Sequence, residues 1–191
     1  MIKIGILGDI GSGKTFIARN FGCPIFNADL EVSKVYKNNK SIYKKLKKKF
    51  PNNISSFPIK KKEIGEAILE KKNNLIKIVR IVHPIIRIKM NNFLKKNKNK
   101  KIVLLDVPLL LENNLNKENY ILIFIKAKRK DILKRLKQRS NYNPKLFNKL
   151  RKLQLPLEIK KKKSDYIIEN NFKSFSIKKS VKILKKKILK K

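Results

Sequence analysis

One cysteine, one histidine and no tryptophan in 191 residues remove several functional classes at the outset. Cys23 by itself makes neither an internal disulfide nor a multi-cysteine metal site, and such usage suits a reducing cytosol. His83 likewise has no second histidine with which to ligate a metal. Long hydrophobic runs are missing too. The longest, Ile102–Leu111, is interrupted by Asp106, and Tyr120–Ile125 is shorter still; a membrane helix needs roughly 20 apolar residues. The segment Met1–Leu7 is too short for a signal peptide and leads straight into a glycine loop. The expectation is a soluble, intracellular (cytoplasmic) protein without a membrane partner.

Acidic residues are also scarce, 13 against 51 basic ones, for a formal net charge of +38. A charge of that size repels itself and attracts polyanions. One reading is a nucleic-acid binder. The other is compositional drift toward Lys, Ile and Asn, as an A+T-rich genome produces. Two features favour drift. Lysine is spread over nearly every segment after residue 34, and the Phe and Tyr residues mostly sit beside aliphatic neighbours, as core residues do, where base stacking would need them exposed. No specific nucleic-acid partner is expected, only non-specific adhesion that salt weakens.

What is present is enough apolar content for a core, 41% of residues, in a length that fits one domain. Short, uninterrupted apolar runs read as buried strands: Ile2–Leu7, Pro24–Asn27, Ile102–Asp106, Ile121–Ile125 and Asp165–Glu169. Helical patterns lie between them, over Lys14–Phe21, from Leu30 to Lys98 with a loop at Pro51–Pro58, over Lys130–Arg139, from about Lys145 to Lys162, and over Ser176–Lys190. Asn141–Pro144 reads as an interruption, and lysine runs such as Lys160–Lys163 read as solvated faces. Apolar strands alternating with helices predict a doubly wound α/β fold, a parallel sheet covered on both sides.

The segment Gly8-Asp9-Ile10-Gly11-Ser12-Gly13-Lys14-Thr15 satisfies G-x-x-x-x-G-K-[ST] in full, directly after an apolar strand and before a helix. Glycines let the backbone curl so that successive N–H groups point at phosphate oxygens. Lysine then reaches the β- and γ-phosphates, and the threonine hydroxyl ligates Mg²⁺. Gly11, Ser12, Gly13, Lys14 and Thr15, with Phe16 behind them, are therefore expected to hold ATP at a helix N-terminus.

In open α/β sheets ligands bind beyond the carboxyl ends of the strands. Asp29, Asp106 and Asn170 fall at or just after such ends. Asp29 is a candidate to orient an acceptor hydroxyl and take its proton, or simply to N-cap the helix beginning at Leu30. Asp106 follows four apolar residues, as a Mg²⁺-holding acid does, or is an ordinary strand-end carboxylate. Arg135 and Arg139 stand out in a lysine-rich chain. Four residues apart on one helix, they would share a face and suit bidentate contacts to phosphate; the plainer reading is two surface arginines. His83, in the run Ile81-Val82-His83-Pro84, reads as a packed, hydrogen-bonded side chain before a catalytic one.

With these residues in hand the chain resembles the dephospho-CoA kinase family of P-loop proteins. The loop Gly8–Thr15 carries the resemblance first, followed by Asn27-Ala28-Asp29 and Ile81-Val82-His83-Pro84. It continues through Leu105-Asp106-Val107-Pro108-Leu109-Leu110-Leu111-Glu112, Arg139, Gln154-Leu155-Pro156-Leu157-Glu158 and Ser164-Asp165-Tyr166-Ile167-Ile168-Glu169-Asn170.

The resemblance implies a nucleotide-kinase-like core of five parallel strands (residues 1–29, 99–138 and 163–191). It implies a helical substrate-binding part at about 30–98 and a lid at about 139–160. The implied reaction transfers the γ-phosphoryl group of MgATP to the 3′-hydroxyl of dephospho-CoA, with the protein acting as a monomer. Catalysis would fall to Lys14, Asp29 and Arg139, ATP binding to the loop with Phe16, Arg135 and Asn170, and Mg²⁺ to Thr15 and Asp106. Asp29, Lys61, His83 and Asp106 would meet the substrate. The chain departs from the family's pattern at Asp9, commonly Gly, at Asn27, commonly Asp, at Lys61, often Arg, and at Leu7, often polar. Two rival readings remain at this level: another small-molecule or nucleotide kinase, and a basic nucleic-acid-binding protein with a degenerate loop.

Overall fold

The computed structural model describes residues 1–115, 119–139 and 142–190. Their contacts divide into two compact units, one of residues 1–27, 97–142 and 151–191 and one of residues 28–96 and 143–150.

The first unit is built on a parallel five-stranded sheet in the order β2-β3-β1-β4-β5. Its strands are β1 (Ile2–Gly8), β2 (Ile25–Asn27), β3 (Ile102–Asp106), β4 (Tyr120–Ala127) and β5 (Tyr166–Asn170). β1 lies in the centre, pairing Ile2 with Ile102 on one side and Lys3 with Tyr120 on the other. That position explains its unbroken apolar run, because both of its faces are covered. On one face Ile4 and Ile6 meet Ile102, Leu104, Ile123 and Ile125. Over them lie Ile17, Ala18 and Phe21 around α1 (Lys14–Arg19), and Ile177, Val181 and Ile188 of α9 (Ser174–Leu189). Gly5 faces the other way, and a Cβ there would overlap Leu110. The remaining helices of this unit are α6 (Arg129–Lys137) and α8 (Leu157–Lys162).

The second unit is helical: α2 (Ala28–Asn38), α3 (Lys40–Lys49), α4 (Lys61–Glu70), α5 (Asn74–Lys96) and most of α7 (Pro144–Lys152). Apolar residues at helical spacing, including Ile64, Ile68, Leu75, Ile78 and Val82, are buried. Burial pushes the Tyr36 phenol up to about 12. Lys149 of α7 donates to the carbonyls of Ile68 and Leu69 at 2.7 and 3.0 Å, satisfying two acceptors that the end of α4 leaves open.

Between residues 145 and 163 the structure departs from expectation twice. The helix expected over 145–162 is two helices, because Pro156 has no N–H to continue the ladder and the Leu155 N–H donates to the Glu112 carboxylate at 2.8 Å. Lys160 does not face solvent. It is 1% exposed, with its ammonium 3.0 Å from Glu112 Oε1 and 2.9 Å from Gln154 Oε1.

Candidate active site

The loop between β1 and α1 is shaped by glycines in the left-handed region, Gly11 at φ 83° and Gly13 at φ 88°. At Gly13 the requirement is also steric: a Cβ would overlap the side-chain nitrogen of Asn170. That nitrogen donates to the Ser12 carbonyl at 2.7 Å, while Asn170 Oδ1 accepts from the Phe172 N–H at 2.8 Å. Both ends of the buried Asn170 amide are thus engaged, and β5 braces the loop through it. Ser12 Oγ, fully buried in the loop, has no hydrogen-bond partner among the described residues, as a hydroxyl reserved for an anion would.

Lys14 folds back over the loop, its ammonium 2.7 Å from the Asp9 carbonyl and 3.1 Å from that of Gly8. At the neighbouring strand end the Asp106 carboxylate accepts from Thr15 Oγ1 at 2.6 Å and from Asn27 Nδ2 at 2.7 Å. The sheet dictates this meeting, since Asn27 and Asp106 are register partners in β2 and β3. Asp106 is 4% exposed, and both of these bonds fall on Oδ2. A hydroxyl beside a carboxylate is a hard-oxygen donor set. Mg²⁺ takes one or two such protein ligands and completes its shell with phosphate oxygens and water. Thr15 and Asp106 therefore fit Mg²⁺. Among the described residues no group of three or more His, Cys, Asp or Glu is placed to hold a metal by itself.

Arg135 stacks on Phe172, its guanidinium carbon 4.6 Å from the ring centroid. A shallow cleft beside them is lined by Asp131, Lys134, Gln138 and Asn171. Phe172, at φ 62°, is a participant that the sequence reading missed; its position directly after the strand-end Asn170-Asn171 was the available signal. Arg139 is not on the same helix as Arg135. α6 ends at Lys137, and the Arg139 N–H bonds back to the Leu136 carbonyl in a tighter turn, which places this exposed residue beyond the helix. Phe16, on α1, is 43% exposed. Asn141, the start of the expected interruption, and Ser140 within the expected lid lie outside the described residues.

In the helical unit, α2 begins at Ala28 with no linker after β2, so Asp29 occupies the first turn and is not an N-cap. It is exposed, and its carbonyl accepts from Ser33 Oγ at 2.9 Å. Lys61 is exposed at the first position of α4, and His83 is half-buried in α5 next to Pro84. The sequence reading missed Glu63. Its buried carboxylate accepts from the N–H and hydroxyl of Ser55 and of Ser56 and from the Lys60 N–H, all between 2.8 and 3.0 Å. Burial alone pushes this carboxyl up, but the hydrogen bonds from Lys60, Ser55 and Ser56 outweigh it and hold it at about 2. Glu63 thereby fixes the loop that leads into Lys61.

A parallel sheet in this order, a phosphate loop after its central strand, and a Thr–Asp pair at the next strand end define a P-loop kinase core. The comparisons then specify the family. The model of the dephospho-CoA kinase family matches residues 2–175. A dephospho-CoA kinase of Wolbachia sp. subsp. Brugia malayi is 32% identical over 173 residues, covering 88% of each chain. Among solved structures, TT1252 from Thermus thermophilus superposes with a TM-score of 0.75 at 24% identity, covering 96% of this chain and 95% of that one. The dephospho-CoA kinase from Campylobacter jejuni gives 0.68 at 23% identity, covering 98% and 97%; both share the fold. The chain belongs to the dephospho-CoA kinase family.

Proposed function

We propose that this chain transfers the γ-phosphoryl group of ATP to the 3′-hydroxyl of dephospho-CoA, forming coenzyme A and ADP. The observation that carries this reading is the 2.6 Å contact between Thr15 of the phosphate loop and Asp106 of β3, within a chain of this family. The loop amides of Gly11, Ser12 and Gly13 hold the phosphates, and Lys14 leaves its two carbonyls for the β- and γ-oxygens. Phe16 lies just behind on α1. Thr15 and Asp106 hold Mg²⁺, which when bound neutralises charge on the transferring group. Arg135, supported by Phe172, offers a planar cation to ATP, and Asn170 acts on the nucleotide through the loop it braces.

On the acceptor side, Asp29 orients the ribose hydroxyl and takes its proton, and Lys61 and His83 meet other parts of dephospho-CoA. Arg139 grips the transferring phosphoryl group within a lid that excludes water. Phosphoryl transfer is loose and spreads charge, so positioning and electrostatic stabilisation supply most of the rate. Among the described residues no helix is long and apolar enough to cross a membrane. The protein acts in the cytoplasm as a monomer, without a specific nucleic-acid partner.

An ADP-release assay with and without dephospho-CoA, coupled to detection of the 3′-phosphorylated product, tests the reading. Release that depends on dephospho-CoA and yields that product is expected. ADP release indifferent to dephospho-CoA, or faster with another alcohol, would assign the core to a different kinase.

A further inference from the structure

The second residue of the phosphate loop is a carboxylate, and it is buried: Asp9 is 7% exposed. Its Oδ1 accepts from the Ile10 N–H at 2.8 Å, which keeps the side chain against the loop. Its Oδ2 lies 3.6 Å from Arg151 Nη2. Its carbonyl meanwhile takes the Lys14 ammonium at 2.7 Å. Residue 9 therefore carries one cation on its main chain and a second on its side chain.

The electrostatics make the second cation necessary. A phosphate loop concentrates amide dipoles and a lysine on a ligand that bears several negative charges. A carboxylate on a residue that touches the same lysine opposes that ligand, and Coulomb repulsion falls only inversely with distance. A buried charge also requires a partner for its own sake. We propose that Arg151 is the counter-charge that lets a loop containing Asp9 accept a triphosphate, which makes it a positioning residue for ATP. This rests on the kinase reading. Arginine suits this role because a guanidinium is a permanent cation, and its 3.6 Å approach places that charge beside the Asp9 carboxylate.

The experiment measures binding of a Mg²⁺-loaded, non-hydrolysable ATP analogue and of AMP to the full chain by calorimetry. Arg151→Gln is expected to weaken the triphosphate at least tenfold while changing AMP less than threefold, since AMP lacks the β- and γ-phosphates. Arg151→Lys keeps the charge and stays within about threefold of the unaltered chain. Asp9→Asn keeps the shape and removes the charge, so Asp9→Asn/Arg151→Gln recovers most of the lost affinity. Triphosphate binding by Arg151→Gln equal to that of the unaltered chain overturns the proposal. So does a double variant as impaired as Arg151→Gln, or an equal loss for AMP. Should Arg151→Gln fail to fold, Arg151→Lys against Asp9→Asn decides: a tenfold loss in Arg151→Lys refutes charge compensation. Absence of triphosphate binding by the unaltered chain would overturn the kinase reading as well, whereas the other failures leave it standing.

Discussion

Asp106 in the sheet unit and Glu63 in the helical unit are both buried carboxylates, yet their surroundings differ in kind. Glu63 accepts five hydrogen bonds from Ser55, Ser56 and Lys60, spread over both oxygens. Asp106 accepts two among the described residues, from Thr15 and Asn27, both on Oδ2. A carboxylate whose acceptor sites are filled by its own chain is a structural clasp; one that keeps an oxygen at a strand end beside a phosphate loop is available to a ligand. A third acid, Glu112, takes an intermediate course, meeting the ammonium of buried Lys160 and the Leu155 N–H. Burial therefore does not separate these acids. The number and placement of donors does.

Substitutions can break that comparison. The largest stability effect should come from Lys160→Ala, which strands Glu112 without its cation; breaking a buried pair costs about 3–5 kcal/mol, and chemical denaturation measures it. Replacing both partners with apolar residues should recover much of that loss, and a double variant no better than Lys160→Ala would mean that packing, not charge, was lost. Asp106→Asn should lower kcat on the order of 10²-fold, about 2.7 kcal/mol of transition-state stabilisation, with the melting temperature nearly unchanged. If Asp106→Asn melts far below the unaltered chain yet turns over normally, the contrast with Glu63 collapses.

Glu63→Gln should do the opposite, destabilising by roughly 1–3 kcal/mol while leaving the turnover of the folded fraction intact. It should also carry a pH signature. The folded carboxyl sits at about 2, below its ordinary 4.5, so its stabilisation is complete above about 4.5 and is lost as pH falls from there towards 2. The unaltered chain should lose stability over that window more steeply than Glu63→Gln, and parallel acid titrations would contradict the clasp. The smallest effect sharpens the electrostatic background common to both units. With a net charge of +38, moderate salt should raise the melting temperature by screening lysine repulsion, the Debye length being ~10 Å at 0.1 M. A melting temperature that stays flat or falls would show that repulsion is not limiting.

Much of the fold was legible in the chain. Five apolar runs became five strands because a parallel sheet covered on both faces leaves them no polar alternation, and the phosphate loop was recognisable from its glycines and its place after β1. Pro156 was visible as well, yet the expected helix over 145–162 runs through it, and the structure divides there. Arg135 stood out by composition, but its partner Phe172 lies on the turn after β5, 37 residues on, and nothing local announces the stacking. Glu63 carried no local signal; its five donors come from Ser55, Ser56 and Lys60, on a loop whose path only folding decides.

Local sequence thus determined strands, helix periodicity, the loop's left-handed glycines and the side chains able to grip phosphate, since these depend on dihedral preference and on neighbours a few residues away. Tertiary structure alone decided which members of a lysine-saturated chain carry specific duties: Lys149 on the end of α4, Lys160 on Glu112, Lys185 on the Phe21 carbonyl, and Arg151 on Asp9. The partners in these pairs are separated by tens of residues or more. When nearly every segment offers a cation, charge by itself cannot specify a partner, so the choice falls to whichever acceptor the packed backbone brings within reach and out of water.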